Sequence, residues 1–156
     1  MALSIGTKAP DFKLFNSEKK EVSLSDFKGK NLVIQFFPAA FTGVCTAQMC
    51  ASRDELSFFN GLNSSVVGLS VDMPFSLAEF KSKNGINFDL LSDFNKDTIK
   101  AFDMVQETFA MGMKNVAKRG VVVIDKEGII RYVEVTPTPG DQVNFDALNE
   151  AVKKLG

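Results

Sequence analysis

The stretch Leu32-Val33-Ile34-Gln35-Phe36-Phe37-Pro38-Ala39-Ala40-Phe41-Thr42-Gly43-Val44-Cys45 decides the architecture. Residues 32–37 are a mostly apolar run, the composition of a central strand buried on both faces. Pro38 ends it, because proline has no backbone donor and a fixed φ. A helical pattern follows over 43–60, with Phe41, Val44, Met49, Leu56 and Phe59 as apolar contacts and Asn60-Gly61 as the stop. A strand that passes through a proline turn into a helix puts Cys45 near the first helical turn. Helix N-termini favour anions, so a thiolate is favoured there.

The flanking segments fill in the fold. Residues 11–15 and 20–24 alternate polar and apolar around a turn at 16–20, which predicts an N-terminal β-hairpin. Residues 25–29 read as a short helical turn closed by glycine. Buried strands are predicted at 65–71, 87–91 and 120–125, with a return strand over 129–135 after a turn at 126–128. Helical patterns cover 72–83, 95–102 and 145–155. Residues 103–118 have no clean period and read as a loop with local helix. Helices alternating with buried strands imply an α/β fold whose central sheet is covered on both faces. The terminal hairpin makes that sheet mixed. The 156 residues suit a single domain over 1–156, with no repeat or linker.

Composition narrows the function. The 18 basic and 19 acidic residues nearly cancel, leaving no electrostatic reason to expect nucleic-acid or anionic-membrane binding. No apolar run reaches the ~18 residues of a membrane span. No basic segment precedes an apolar stretch at the start, so the expectation is a cytoplasmic protein without a signal peptide. Cys45 and Cys50 are the only cysteines and histidine is absent, which leaves thiol chemistry without a Cys–His pair. In a reducing compartment, two nearby cysteines are more often redox-active or metal-binding than a staple. Their five-residue step lacks common zinc-ligand spacing, so no metal is expected. The arginines are Arg53, Arg119 and Arg131. Arg119 directly precedes a buried strand and can reach across the sheet end. Arg53 lies eight residues past Cys45, more than two helical turns away, and fits a supporting role or a salt bridge with Glu55 or another carboxylate. Gln48 either lines the pocket or is solvated.

Three landmarks carry a resemblance. Ala9-Pro10-Asp11-Phe12 and 27–33 form the opening. Pro38, Thr42 and Cys45 form a Pro-x3-Thr-x2-Cys signature, and 118–131 form a later run that includes Arg119. With these the chain resembles the peroxiredoxins, built on the thioredoxin-like fold, over nearly its full length. The resemblance implies reduction of hydrogen peroxide and small organic (alkyl) hydroperoxides, with no bound cofactor. The electron donor would be thioredoxin, glutaredoxin or a small thiol. It implies that Cys45 is the peroxidatic nucleophile, oxidised to sulfenic acid, and that Pro38 shields its pocket. Thr42 would orient the peroxide, although its position also suits a plain helix cap. Arg119 would hold the thiolate and polarise the peroxide.

Cys50 resembles the resolving cysteine of the peroxiredoxin Q, or bacterioferritin comigratory, group. The wording Phe-Phe-Pro-Ala-Ala-Phe-Thr-Gly-Val-Cys sits closer to the alkyl hydroperoxide reductase E group, where one cysteine often suffices. The first group implies a monomer and the second a homodimer through the active-site edge. On an intact helix, Cys45 and Cys50 stand about 140° apart with about 7.5 Å of rise. A Cys45–Cys50 disulfide therefore requires the helix to unwind. The alternatives are a one-cysteine peroxidase resolved by an external thiol, or a peroxide-responsive redox sensor.

Overall fold

The structure is a computed structural model that describes residues 3–155. The N-terminal hairpin is β1 (Lys13–Asn16) and β2 (Glu21–Ser23), followed by a 3-10 turn at Leu24–Phe27. The central strand β3 (Asn31–Phe36) leads through Pro38 into α1 (Gly43–Asp54) and α2 (Leu56–Asn60). Then come β4 (Ser64–Ser70), α3 (Pro74–Asn84), β5 (Asp89–Ser92) and α4 (Asp97–Ala101). The chain continues with β6 (Val105–Phe109), β7 (Met113–Ala117), β8 (Gly120–Ile124), β9 (Ile130–Val135) and α5 (Phe145–Lys153).

Seven strands form one mixed sheet in the order β2-β1-β5-β4-β3-β8-β9. β3 pairs parallel with β4 and antiparallel with β8, with Phe36 opposite both Leu69 and Gly120. The chain thus has the thioredoxin-like α/β arrangement, with the hairpin at one edge. The alternation of β3 divides the core in two. Leu32, Ile34 and Phe36 face Phe12, Ile99 and Phe102, beneath the N-terminal segment and α4. Val33 and Phe37 face Cys45, Met49, Phe59, Phe80 and Leu148, beneath α1, α2, α3 and α5. Such double coverage is why β3 reads as a nearly unbroken apolar run.

Two segments depart from the sequence-based expectation. The helix predicted over 43–60 breaks at Glu55, which has φ −93° and ψ 1°. The buried stripe of α1 is Cys45, Gln48, Met49 and Ser52, a regular i, i+3, i+4, i+7 face with polar members. A search for apolar periodicity finds that face imperfect. Residues 103–118, read as a loop, instead hold β6 and β7 as a separate antiparallel ribbon. Its turn depends on positive φ at Met111 and Gly112 (60° and 78°). Most of its side chains are exposed or half-buried, so no strong alternation marks the strands. Among the described residues, no helix is long and apolar enough to cross a membrane.

A small residue seats α1. A Cβ on Gly68 of β4 would lie 2.6 Å from a Leu90 methyl, 3.0 Å from Met49 Sδ and 3.3 Å from the Phe37 ring. Without a side chain there, Met49 and the helix carrying Cys45 settle directly onto the sheet.

Candidate active site

The site lies where β3 gives way to α1, beside the start of β8. After Pro38, which is buried, the backbone turns through Phe41 at φ 68°, a left-handed conformation unusual for a bulky residue. Two contacts stabilise the turn. The Ala40 N–H donates to Asp72 Oδ2 at 2.8 Å, and the Phe41 ring meets Phe80 edge-on at 5.2 Å. Thr42 then occupies the N-cap position of α1.

The side chain of Cys45 is fully buried. Arg119 is only 2% exposed, and one terminal nitrogen of its guanidinium donates to Cys45 Sγ at 3.2 Å and to Gln48 Oε1 at 2.9 Å. Its Nε and other terminal nitrogen both donate to the Pro139 carbonyl, at 2.9 and 2.8 Å. A guanidinium with several fixed donors is pinned in direction as well as position. None of these partners is a carboxylate, and Arg119 forms no ion pair among the described residues. Burying an unpaired cation is costly. Cys45 Sγ is the one hydrogen-bond partner of Arg119 whose side chain can carry negative charge.

The loop supplying the Pro139 carbonyl is tied down on both sides. Thr136 donates its N–H to the Arg119 carbonyl at 3.0 Å and its hydroxyl to the Thr138 carbonyl at 2.7 Å. Nearby, Tyr132 donates its hydroxyl to Glu134, whose carboxylate accepts the Asn144 N–H at the start of α5. Burial, reinforced by the Glu134 charge, pushes the Tyr132 phenol up to about 12.

The residues singled out from sequence are partly brought together. Cys45 and Arg119 touch, and Pro38 and Thr42 precede Cys45 on the turn that leads into α1. Thr42 does not cap α1 with its side chain. Its hydroxyl donates to the Ala39 carbonyl at 2.9 Å, which leaves the oxygen lone pairs free to accept. Cys50 is half-buried further along α1, and both thiols are free. The disulfide implied for Cys45 and Cys50 is not made and the two are not near bonding distance, because α1 is continuous through both. Arg53 pairs with Asp54, not Glu55, and reaches the Asn84 carbonyl. Gln48 is fully buried and faces Arg119, which settles its two readings in favour of the site. Phe36 and Phe37 are core, whereas Phe41 and Phe75, near the same edge, are 51% and 66% exposed.

Two contributors were missed in the sequence. Gln35 is buried in β3 and accepts from Gln48 Nε2 at 2.8 Å. A lone amide inside an apolar strand was its signal. The Pro139 carbonyl had none, because a backbone acceptor in an irregular segment leaves no mark in side-chain pattern.

Comparison with known proteins gives the family. The profile of the AhpC/TSA family matches residues 5–133. A Haemophilus influenzae protein bearing the name peroxiredoxin bcp is 44% identical over 110 residues, 70% of this chain and 71% of that protein. The alkyl hydroperoxide reductase E of Mycobacterium bovis is 34% identical over 142 residues, 89% of each chain. The crystal structure of a peroxiredoxin-like protein from Aquifex aeolicus superimposes with a TM-score of 0.90 at 25% identity, covering 100% of this chain and 90% of that one.

Proposed function

The chain belongs to the AhpC/TSA family of peroxiredoxins and is a thiol-dependent peroxidase, and on that premise we propose that Cys45 is the sulfur that reduces the peroxide. The observation that carries this reading is the buried Arg119 guanidinium donating to Cys45 Sγ with no carboxylate partner of its own. Hydrogen bonds to a charged acceptor are stronger than neutral ones, so the contact favours a thiolate. The thiolate sulfur forms a bond to the hydroxyl oxygen of the peroxide, and the O–O bond breaks. The electron pair leaves on the distal oxygen, which takes a proton and departs as water or an alcohol. Cys45 is left as sulfenic acid. Arg119 donors aimed at the reacting atoms stabilise the charge that develops there without reorganising. Thr42 offers a free acceptor for the peroxide hydroxyl, and Pro38 helps exclude water.

The substrates are hydrogen peroxide and small alkyl hydroperoxides, in keeping with a fully buried sulfur. Resolution falls to an external thiol. It attacks the sulfenic sulfur, expels water and forms a mixed disulfide, which a second thiol reduces. Thioredoxin, glutaredoxin or a small thiol would serve. The intact α1 supports this reading, since its geometry holds Cys45 and Cys50 about 7.5 Å apart along the axis and on different faces. A second reading assigns resolution to Cys50 after local unwinding of α1. It is favoured by the absence of a side-chain cap at Thr42 and by the break at Glu55. The exposed Phe41, Met73 and Phe75 suit a homodimer through this edge.

Peroxide treatment of the reduced protein, followed by mass analysis, decides between the two routes. The one-cysteine route gives a trappable sulfenic acid at Cys45 in wild type and in Cys50→Ser alike. An internal disulfide in wild type alone would overturn it.

A further inference from the structure

Gln35 is the only polar residue between Leu32 and Phe37, and it is fully buried. It shares its face of β3 with Val33 and Phe37, and a residue serving packing alone would be apolar as they are. Instead its Oε1 accepts from Gln48 Nε2 at 2.8 Å, while Gln48 Nε2 also reaches the Phe36 carbonyl at 3.3 Å. With two acceptors on its amino side, Gln48 must turn its Oε1 the other way. There it accepts from the Arg119 nitrogen that also donates to Cys45 Sγ. A reversed Gln48 amide would set donor against donor at the guanidinium. Gln35 Nε2 has no partner among the described residues, an arrangement that works against stability and therefore calls for a return elsewhere.

We propose that Gln35 is a positioning residue that acts through Gln48 to hold the Arg119 guanidinium on the Cys45 sulfur. The proposal deepens the reading of Cys45 as the reacting thiol and rests on it. Loss of Gln35 frees the Gln48 amide to flip, so Arg119 is no longer directed at Sγ and the thiolate is less favoured.

The test uses the full chain carrying Cys50→Ser, with Gln35→Met, Gln48→Met and the pair. Cys45 alkylation by iodoacetamide is followed across pH. Gln35→Met is expected to slow alkylation at neutral pH by roughly tenfold, the loss of one hydrogen bond to a charged group, and to displace the profile to the alkaline side. In the Gln48→Met background it should add nothing, because its effect passes through Gln48. An unchanged profile, even with a lowered melting temperature, overturns the proposal. So does a full additional effect in the Gln48→Met background. Alkylation needs no peroxide turnover, so failure of the peroxidase reading would appear separately, as absent peroxide consumption by wild type. Should Gln35→Met fail to fold, side-chain amide signals in isotope-labelled Cys50→Ser protein give the answer. Those of Gln35 and Gln48 must both move when Cys45 is alkylated, and a stationary Gln35 signal overturns the proposal.

Discussion

Arg119 is bound by geometry as much as by charge. Arg119→Lys keeps the charge but replaces a fork of fixed donors with one mobile ammonium. It cannot reproduce contacts to Sγ, Gln48 and Pro139 together. The expected loss is about 10²–10³-fold in the peroxide rate constant, the scale of losing an aimed donor, read by stopped-flow consumption with little change in melting temperature. Cys45→Ser should abolish consumption while leaving the fold intact. Cys45 and Arg119 could be found in the sequence because each is a reactive side-chain type at a fixed distance from a structural landmark. Gln35 and Pro139 were not, for opposite reasons. The first was submerged in a run read for hydrophobicity, and the second contributes only its backbone.

The helix that carries Cys45 is positioned by what lies under it. Gly68→Ala would place a methyl against Leu90, Met49 and Phe37. Overpacking of this kind costs about 1–3 kcal/mol, and here the strain falls on α1. Both the denaturation midpoint and the peroxide rate should drop. A different short element offers a pH test. Asp93 is buried and accepts the Thr98 and Ile99 N–H groups at the start of α4, at 3.2 and 2.7 Å. Burial, aided by the Asp97 charge, raises its carboxyl above the ordinary range despite those donors. A raised carboxyl contributes most to stability below its unfolded value, and that contribution is lost as pH rises through the folded value. The stability of wild type relative to Asp93→Asn should therefore decline from acid pH upward and then level off, as urea midpoints at several pH values would show. Strands and helices with a one-sided or wholly buried pattern were readable from sequence. The ribbon of β6 and β7 was not, because its turn depends on backbone conformation and its faces are largely wet.

Across the whole molecule, the two halves of the core are separated by the sheet and differ in their relation to the site. Phe102→Ala and Leu148→Ala remove fully buried side chains from opposite faces. Each should lower stability by about 2–5 kcal/mol. Only Leu148→Ala should also slow peroxide reduction measured well below its melting transition, because its cluster includes Cys45 and Met49. The full burial of Cys45 has one more consequence. On the proposed chemistry, sulfenic acid adds an oxygen atom to a side chain that has no exposed surface, so the packing around it must give way to the oxidised form. Linkage is reciprocal: whatever oxidation subtracts from folding stability, folding subtracts from the stability of the oxidised sulfur. The native packing thus acts as a spring, compressed by the peroxide and released when a thiol restores the sulfur to its smaller form.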